Sequence, residues 1–208
     1  MRNASEHKVD VWLFKTASNQ RKIRRDLRCM LLAEYTDIAP SAICFTNEPY
    51  GKPMINSSPP LTINFNESHS TENYALAVCR TAPVGIDIEY TGTLSNAAEY
   101  ALHACRESEL PDFKNSAPEK YSAALLRQWV RKEAILKAWG VGLTYNPLQI
   151  DLSQFSADII CKNALVAIAG ISILFTDLEL AGDIIGTVAI QNNSATASLA
   201  VEIRESTS

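Results

Sequence analysis

Asp87 and Glu89 form the first pair of residues whose types and spacing could do chemistry. They alternate with isoleucines in a segment that predicts a strand, Val84–Glu89, so both side chains point to one face. Two carboxylates about 4 Å apart repel by roughly 4 kcal/mol at an effective dielectric of about 20. A divalent cation would remove this repulsion, and oxygen ligands without His or Cys favour Mg²⁺ or Mn²⁺ over Zn²⁺. The alternative is an edge strand that exposes both acids to water.

Glu133 and Lys137 form a second candidate pair, because they share one face of a predicted helix with Trp129. The simplest interpretation is a surface Glu–Lys pair, which contributes only about 0.3–0.5 kcal/mol. The same side of the helix also lies near apolar Leu125 and Ala134. A half-buried acid on such a face needs a partner, and a metal ion is one candidate.

His69 is a third candidate, since it lies between Ser68 and Ser70 in what the sequence predicts to be a loop. A lone histidine there could simply be a hydrogen-bonded turn residue. A nucleophilic Ser–His pair is the alternative, but the sequence contains no Gly-x-Ser-x-Gly elbow to support hydrolase chemistry.

A cluster of basic residues occupies one predicted helix, Ser18–Tyr35, and only Asp26 offsets its charge. Such a run is either a solvated helix face or an anion site. The sequence leaves both interpretations open for Arg21, Lys22, Arg24, Arg25 and Arg28.

The composition bounds the class of protein. The chain has 208 residues, of which 47% are hydrophobic and 20% charged, as is typical of a globular protein and not of a disordered one. A net charge of −4 argues against bulk nucleic-acid binding. Five cysteines without a Cys-x-x-Cys pair fit a reducing cytoplasm. The longest near-continuous apolar stretch, Ala164–Phe175, is too short to span a membrane, so we expect no membrane partner.

The predicted elements suggest an α+β fold of two similar halves, 1–85 and 86–208, within one compact unit. A helix is expected at Ser95–Cys105 with Ser95 as its N-cap, and another runs from a capping box at Ser116 to Trp139. The predicted strands are Val9–Phe14, Ala42–Thr46, Leu61–Phe65, Tyr74–Cys79, Val84–Glu89, Ile184–Ile190 and Ala197–Ile203, with the β-rich stretch Ala164–Phe175 between the fifth and sixth.

Four segments in order resemble one family, the 4′-phosphopantetheinyl transferases of the surfactin-synthetase-activating (Sfp) type. They are Tyr50–Pro53, Phe65–Ser70, Val84–Glu89 and Trp129–Lys137, and the last continues into Gly140–Leu143. Each segment alone is a weak match, whereas four in order across 50–143 are specific. The flanking residues are similar in length and pattern only.

The resemblance implies two halves related by a pseudo-twofold axis, with the active site in the cleft between them. Family members move 4′-phosphopantetheine from coenzyme A to a serine of an apo acyl or peptidyl carrier protein, leaving 3′,5′-ADP. The resemblance therefore implies Mg²⁺ (or Mn²⁺) as cofactor, coenzyme A and a carrier protein as partners, a cytoplasmic location and a monomer.

Matched positions also imply roles for individual residues. Asp87, Glu89 and Glu133 would hold the metal against the pyrophosphate of coenzyme A. Together with Asp87, Glu133 and Lys137 would be catalytic, with Glu133 accepting the serine proton and Lys137 stabilising the leaving group. The residues implied to contact coenzyme A are Gly51, Lys52, Pro53, Ser68, His69 and Lys137, with Arg21, Lys22, Arg25 and Arg28 as candidates for its 3′-phosphate.

Glu67 departs from the family pattern, which usually has an apolar residue there. The acid would either lie near a phosphate or point to solvent. A carrier protein with an acidic helix would need a basic surface, for which the sequence offers the Arg21–Arg28 cluster or Arg127, Arg131 and Lys132. Two other functions remain open: a non-catalytic coenzyme A-binding regulator and a Mg²⁺-dependent phosphohydrolase.

Overall fold

The computed structural model describes residues 6–16, 21–92, 101–110, 117–192 and 197–206. The predicted caps Ser95 and Ser116, and the predicted helix start Ser18, lie outside the described residues. The longer elements are, in chain order, β1 (Glu6–Lys15), α1 (Arg21–Ala33), β2 (Phe45–Asn47), β3 (Pro53–Ile55), β4 (Asn64–Ser70), β5 (Asn73–Cys79), β6 (Val84–Tyr90), α2 (Pro118–Trp139), β7 (Ala164–Ile168), β8 (Ile171–Leu178), β9 (Ile184–Asn192) and β10 (Ser198–Ser206).

Two four-stranded sheets form the centre of the fold, in the orders β10-β1-β5-β4 and β6-β9-β8-β7. β10 runs parallel to β1, with Val201 opposite Val9, and the other neighbours are antiparallel. The first sheet therefore contains both the first and the last described strand. The α+β class is confirmed, while the pseudo-twofold relation and the division at residue 85 stay predictions.

The elements stack in four layers, α1, first sheet, second sheet and α2. Alternation along each strand gives every sheet two buried faces. In the first sheet, Val11 and Ala77 pack toward the second sheet, whereas Leu76 packs toward Leu32 of α1. A third core cluster joins α2 to the second sheet. Each sheet thus buries residues on both of its faces.

β6 is the strand whose alternation decides the site. Ile86 and Ile88 are fully buried in the core between the sheets, as the sequence predicts. The intervening residues therefore face α2. At Gly85 the helix backbone comes so close that an added Cβ would lie 2.2 Å from the carbonyl oxygen of Ala134. Only glycine allows α2 to rest directly on this strand.

α2 begins and ends at identifiable signals. Pro118 is its first residue, which suits proline because the first turn needs no backbone donor. The N-cap is Ala117, which makes no side-chain cap, and the predicted capping-box residue Ser116 lies outside the described residues. Gly140 ends the helix with φ of 86°, and its N–H donates to the carbonyl of Leu136 at 2.9 Å.

Two predicted strands have the wrong bounds, and the β-rich stretch Ala164–Phe175 is confirmed as two strands. The segment Leu61–Phe65 gives way to β4, whose alternating polar residues hide it from a hydropathy pattern. Ala164–Phe175 divides into β7 and β8 at a tight turn, where Ala169 and Gly170 both have positive φ. Ala42–Thr46 is replaced by the short hairpin of β2 and β3.

None of the helices in the described part of the chain is long and apolar enough to cross a membrane.

Candidate active site

Side chains join the edge strands of the two sheets, β4 and β6. Alternate residues of β4 point toward β6 and accept hydrogen bonds from its backbone. The three pairs are Ile86 N to Asn66 Oδ1 at 2.9 Å, Ile88 N to Ser68 Oγ at 3.3 Å and Tyr90 N to Ser70 Oγ at 3.0 Å. These bonds satisfy backbone groups that the edge of a sheet otherwise leaves open.

The same serines orient the carboxylates of β6. Ser68 Oγ donates to Asp87 Oδ1 at 2.7 Å, and Ser70 Oγ donates to Glu89 Oε2 at 2.8 Å. Lys137 of α2 also donates to Asp87 Oδ1, at 2.7 Å. Asp87 is only 5% exposed, so the alternative of a water-exposed acidic edge is wrong for it. We call the group Asp87, Glu89, Glu133 and Lys137 the acidic seam.

Glu133 completes the acidic seam from α2. Burial raises its pKa to about 7, Lys137 opposes that rise, and the charges of Asp87 and Glu89 add to it. Burial and the Asp87 charge likewise raise the pKa of Glu89. Burial alone would lower the pKa of Lys137, but Asp87 outweighs it and raises that pKa. Three acids beside one lysine leave a net negative, poorly hydrated site.

Two oxygens of the acidic seam have no hydrogen-bond partner although they are buried, Asp87 Oδ2 and Glu133 Oε1. Orphaned buried carboxylate oxygens are costly, and a cation satisfies them. Within the described residues, no three His, Cys, Asp or Glu side chains are close enough to form a complete metal site. Mg²⁺ in phosphate-binding sites usually takes one or two carboxylates and fills its shell with water and substrate phosphate. The donors therefore fit a cation shared with a phosphate ligand.

The basic residues of α1 line a cavity of about 620 Å³ with Phe45 and Glu67. Arg28 donates to Glu67 Oε1 at 2.7 Å and lies 4.2 Å from the centre of the Phe45 ring. We call this space the basic cavity. Its basic lining residues are Arg21, Lys22, Arg24, Arg25 and Arg28. A concave cluster favours the anion-site interpretation over a merely solvated helix face.

Glu67 neither points freely to solvent nor stands alone among the cations. Besides the Arg28 pair, it accepts a hydrogen bond from the Tyr74 hydroxyl at 2.7 Å. The acid that departs from the family pattern thus holds one arginine in place at the wall of the basic cavity.

His69 lies within β4, so its predicted loop position is wrong. Alternation places it on the Glu67 face of the strand, away from Ser68 and Ser70. Partial burial and the positive charge of Arg24 are the main factors that lower its pKa, while Glu67 opposes the shift. A neutral imidazole beside the basic cavity can donate one hydrogen bond and accept another.

Lys52 lies in the β2–β3 hairpin, close to the acidic seam. Its ammonium donates to two backbone carbonyls, that of Val84 at 2.9 Å and that of Lys137 at 2.8 Å. Burial lowers its pKa to about 8, and the nearby Glu48 charge partly offsets this effect. The predicted contacts of Gly51, Lys52 and Pro53 with coenzyme A stay predictions.

Arg131 and Lys132 are fully buried, so the prediction that they form a basic docking surface is wrong. Arg131 donates to Asp177 at 2.6 Å, and Lys132 donates to Glu109 at 2.7 Å. Both ion pairs are fully buried and tie α2 to neighbouring segments. They position the helix that carries Glu133.

The sequence analysis did not identify three residues that matter to the site. Gly85 allows the close approach of α2, while Asn66 and Ser70 hold β6 and Glu89. A glycine inside a predicted strand is a signal of close backbone approach and could have identified the first. Asn66 and Ser70 could not be identified in this way, because their roles depend on β4 lying beside β6.

The fold and the acidic seam together define a class of protein, one whose carboxylates and basic cavity suit a phosphate-bearing ligand. The family model for the 4′-phosphopantetheinyl transferase superfamily matches residues 83–189, just over half of the chain. That region contains β6 and α2 and therefore the whole acidic seam. The chain belongs to this superfamily.

Individual relatives agree with the family match. The 4′-phosphopantetheinyl transferase AcpT of Salmonella typhi is 35% identical over 107 residues, 51% of this chain and 54% of the relative. The transferase psf-1 of Bacillus pumilus is 32% identical over 115 residues, 55% of this chain and 45% of the relative. The human L-aminoadipate-semialdehyde dehydrogenase-phosphopantetheinyl transferase is 30% identical over 140 residues, 62% and 45% of the two chains. The chain spans about half the length of the curated relatives it matches.

Proposed function

We propose that this protein transfers 4′-phosphopantetheine from coenzyme A to a serine of an apo acyl or peptidyl carrier protein and releases 3′,5′-ADP. The observation that carries the proposal is the pair of orphaned carboxylate oxygens, Asp87 Oδ2 and Glu133 Oε1, beside the Asp87–Lys137 ion pair. This arrangement lies inside the region that matches the transferase family.

Coenzyme A binding is assigned to the basic cavity and the adjoining face of β4. Arg21, Lys22 and Arg25 are exposed, and they would meet the 3′-phosphate. His69 would donate a hydrogen bond to a phosphate of coenzyme A, and Ser68 would lie beside the pyrophosphate. Gly51 and Pro53 would line the adenine and ribose side.

The reaction forms one bond between the serine oxygen and the β-phosphorus and breaks the bond from that phosphorus to the bridging oxygen. Glu133 would accept the serine proton. Its pKa of about 7 applies to the site without metal, and a bound cation would lower that pKa and keep the carboxylate ionised. The electron pair of the broken bond stays on the 5′-phosphate of the departing 3′,5′-ADP. Lys137 would stabilise that developing charge.

The proposed cofactor is Mg²⁺, with Mn²⁺ as the alternative. Asp87, Glu89 and Glu133 would hold it, with substrate phosphate and water completing a ligand set that these three side chains do not form in this structure. When bound, the ion would withdraw negative charge from the pyrophosphate. An oxygen-only donor set supports this choice of hard cations. A monomer in the cytoplasm is the proposed working form.

Intact-mass spectrometry of an apo carrier protein tests the function. The carrier is incubated with this protein, coenzyme A and Mg²⁺, and a parallel sample contains EDTA. We expect a gain of one phosphopantetheine that EDTA abolishes. Bound coenzyme A without transfer to any of several carriers would instead support a binding-only regulator. Release of phosphate or ADP without a carrier would support a phosphohydrolase.

A further inference from the structure

We propose that Lys52 is a positioning residue that fixes β6 relative to α2, and that its ammonium group is not a contact for coenzyme A. This inference rests on the proposed function. It gives Lys52 a different task from the one that the family resemblance implies.

The ammonium of Lys52 bridges two elements from a third. The turn of the β2–β3 hairpin is closed by hydrogen bonds from Glu48 N to Lys52 O and from Gly51 N to Glu48 O, each 2.8 Å. Lys52 then donates to Val84, the first residue of β6, and to Lys137, in the last turn of α2. Two of the three donors of its ammonium are therefore committed to the fold.

The carbonyl of Lys137 is one that a helix cannot satisfy by itself. The last four carbonyls of an α-helix lack partners within the helix, and the C-terminus carries a partial negative charge. Lys52 supplies both a donor and a positive charge at this end. The hairpin thus caps α2 in place of a local side chain.

These bonds form a closed circuit with the acidic seam. Lys52 holds the backbone of Lys137, the side chain of Lys137 holds Asp87 at 2.7 Å, and Asp87 follows in the strand that begins at Val84. A shift of α2 along β6 would break at least one bond of the circuit. Contact at Gly85 sets how closely the two elements approach, and Lys52 sets their register.

Substitution of Lys52 would leave two carbonyls without their donor in a poorly hydrated place. Such groups draw in water or force the backbone to move. Either response displaces Asp87 and Lys137 relative to each other. A misplacement of about 1 Å in a catalytic constellation costs roughly 100-fold in rate.

Steady-state kinetics of the full chain separate positioning from ligand contact. We expect Lys52→Met to lower kcat by about 10-fold or more, with the KM for coenzyme A changed by less than about threefold. Lys52→Arg, which keeps the charge and the donors, should recover a substantial part of kcat. Lys120→Met makes the same chemical change at an exposed lysine in the first turn of α2 and should leave both constants unchanged.

Three kinetic outcomes would overturn the inference. A KM for coenzyme A that rises about 10-fold with kcat retained would make Lys52 a ligand contact. Unchanged kcat and KM would exclude both the positioning role and the ligand contact. Failure of Lys52→Arg to restore kcat would show that the hydrogen bonds from residue 52 do not position the site. If Lys52→Met does not fold, Lys52→Gln, which keeps one donor group, replaces it in the same comparison.

Hydrogen exchange measured by mass spectrometry tests the inference without any turnover. In Lys52→Met we expect faster exchange in peptides from 84–90 and 134–141 and unchanged exchange in peptides from β8. Unchanged exchange in all three would contradict the positioning role. If the wild-type protein transfers nothing, the proposed function fails, but this exchange experiment still decides whether Lys52 holds the two elements together.

Discussion

The acidic seam and the basic cavity lie on opposite faces of one strand, β4, and are built in different ways. Ser68 and Ser70 point to the seam, where they fix Asp87 and Glu89 through short hydrogen bonds. Glu67 points to the cavity, where it holds Arg28. Asp87 is buried and the other residues of the seam are partly buried, whereas Arg21, Lys22 and Arg25 remain exposed.

This difference predicts how the two regions respond to substitution and to salt. Buried charges are little screened by salt, and each fixed group has no substitute. Several long basic side chains around an open cavity each contribute only part of the attraction to an anion, and salt screens that attraction. We therefore expect large, specific effects in the seam and small, salt-dependent effects in the cavity.

Glu133→Gln should produce the largest effect. The amide cannot accept the serine proton, so kcat should fall by about 100-fold or more, as for other lost general bases. Coenzyme A binding, measured by calorimetry, should largely survive, because the basic cavity is unchanged. Arg25→Gln serves as the matched control from the other region. Full turnover in the Glu133→Gln protein would refute the proton-accepting role.

Gly85→Ala should disturb the seam through packing alone. Its new Cβ would lie 2.2 Å from Ala134 O and 2.3 Å from Ala138 N, both backbone atoms that cannot yield cheaply. We expect a loss of about 3 kcal/mol in the free energy of unfolding, measured with urea, together with lower turnover. Gly182→Ala, where nothing lies within 4 Å but φ is +74°, should cost only about 1 kcal/mol. Equal losses in the two variants would contradict the close-approach argument.

The raised pKa of Glu133 makes a signed prediction for stability without divalent metal. Burial raises this pKa from 4.5 to about 7, so between these values the folded state binds more protons than the unfolded state. The contribution of Glu133 to stability is thus fully present below pH 4.5 and is lost as pH rises through about 7. Urea titrations between pH 5 and pH 8 should show this decline in the wild-type protein and a flatter profile in Glu133→Gln. Identical pH profiles would contradict the assignment.

Arg25→Gln should give the smallest effect and the strongest dependence on salt. We expect the KM for coenzyme A to rise by about threefold at low ionic strength and the difference to shrink near 1 M salt. With dephospho-coenzyme A, which lacks the 3′-phosphate, wild type and variant should behave alike. An equal rise in KM for both substrates would separate Arg25 from the 3′-phosphate.

The sequence predicts the residues of the acidic seam better than the residues that hold them in place. Alternating isoleucine and acid identified the two faces of β6, and Pro118 and Gly140 marked the ends of α2. Those signals are local and reside in the element itself. The chemistry-bearing residues therefore stand out before any fold is known.

The residues that hold the acidic seam in place act through contacts with residues distant in the chain. β4 was predicted with the wrong bounds because its residues that face β6 are polar and bond to the other sheet. Arg131 was expected on the surface because its partner Asp177 lies 46 positions away. The pairing of β1 with β10 joins opposite ends of the described chain, and no local pattern announces it.

The central claim is that the acidic seam transfers phosphopantetheine, and the most direct measurement is the intact mass of an apo carrier protein. The carrier is incubated with the wild-type chain, coenzyme A and Mg²⁺, alongside samples with EDTA or with Glu133→Gln. Our account predicts a gain of one phosphopantetheine with the wild type, none with EDTA and very little with the variant. Equal gains in all three samples, or no gain in any while coenzyme A still binds, would contradict it.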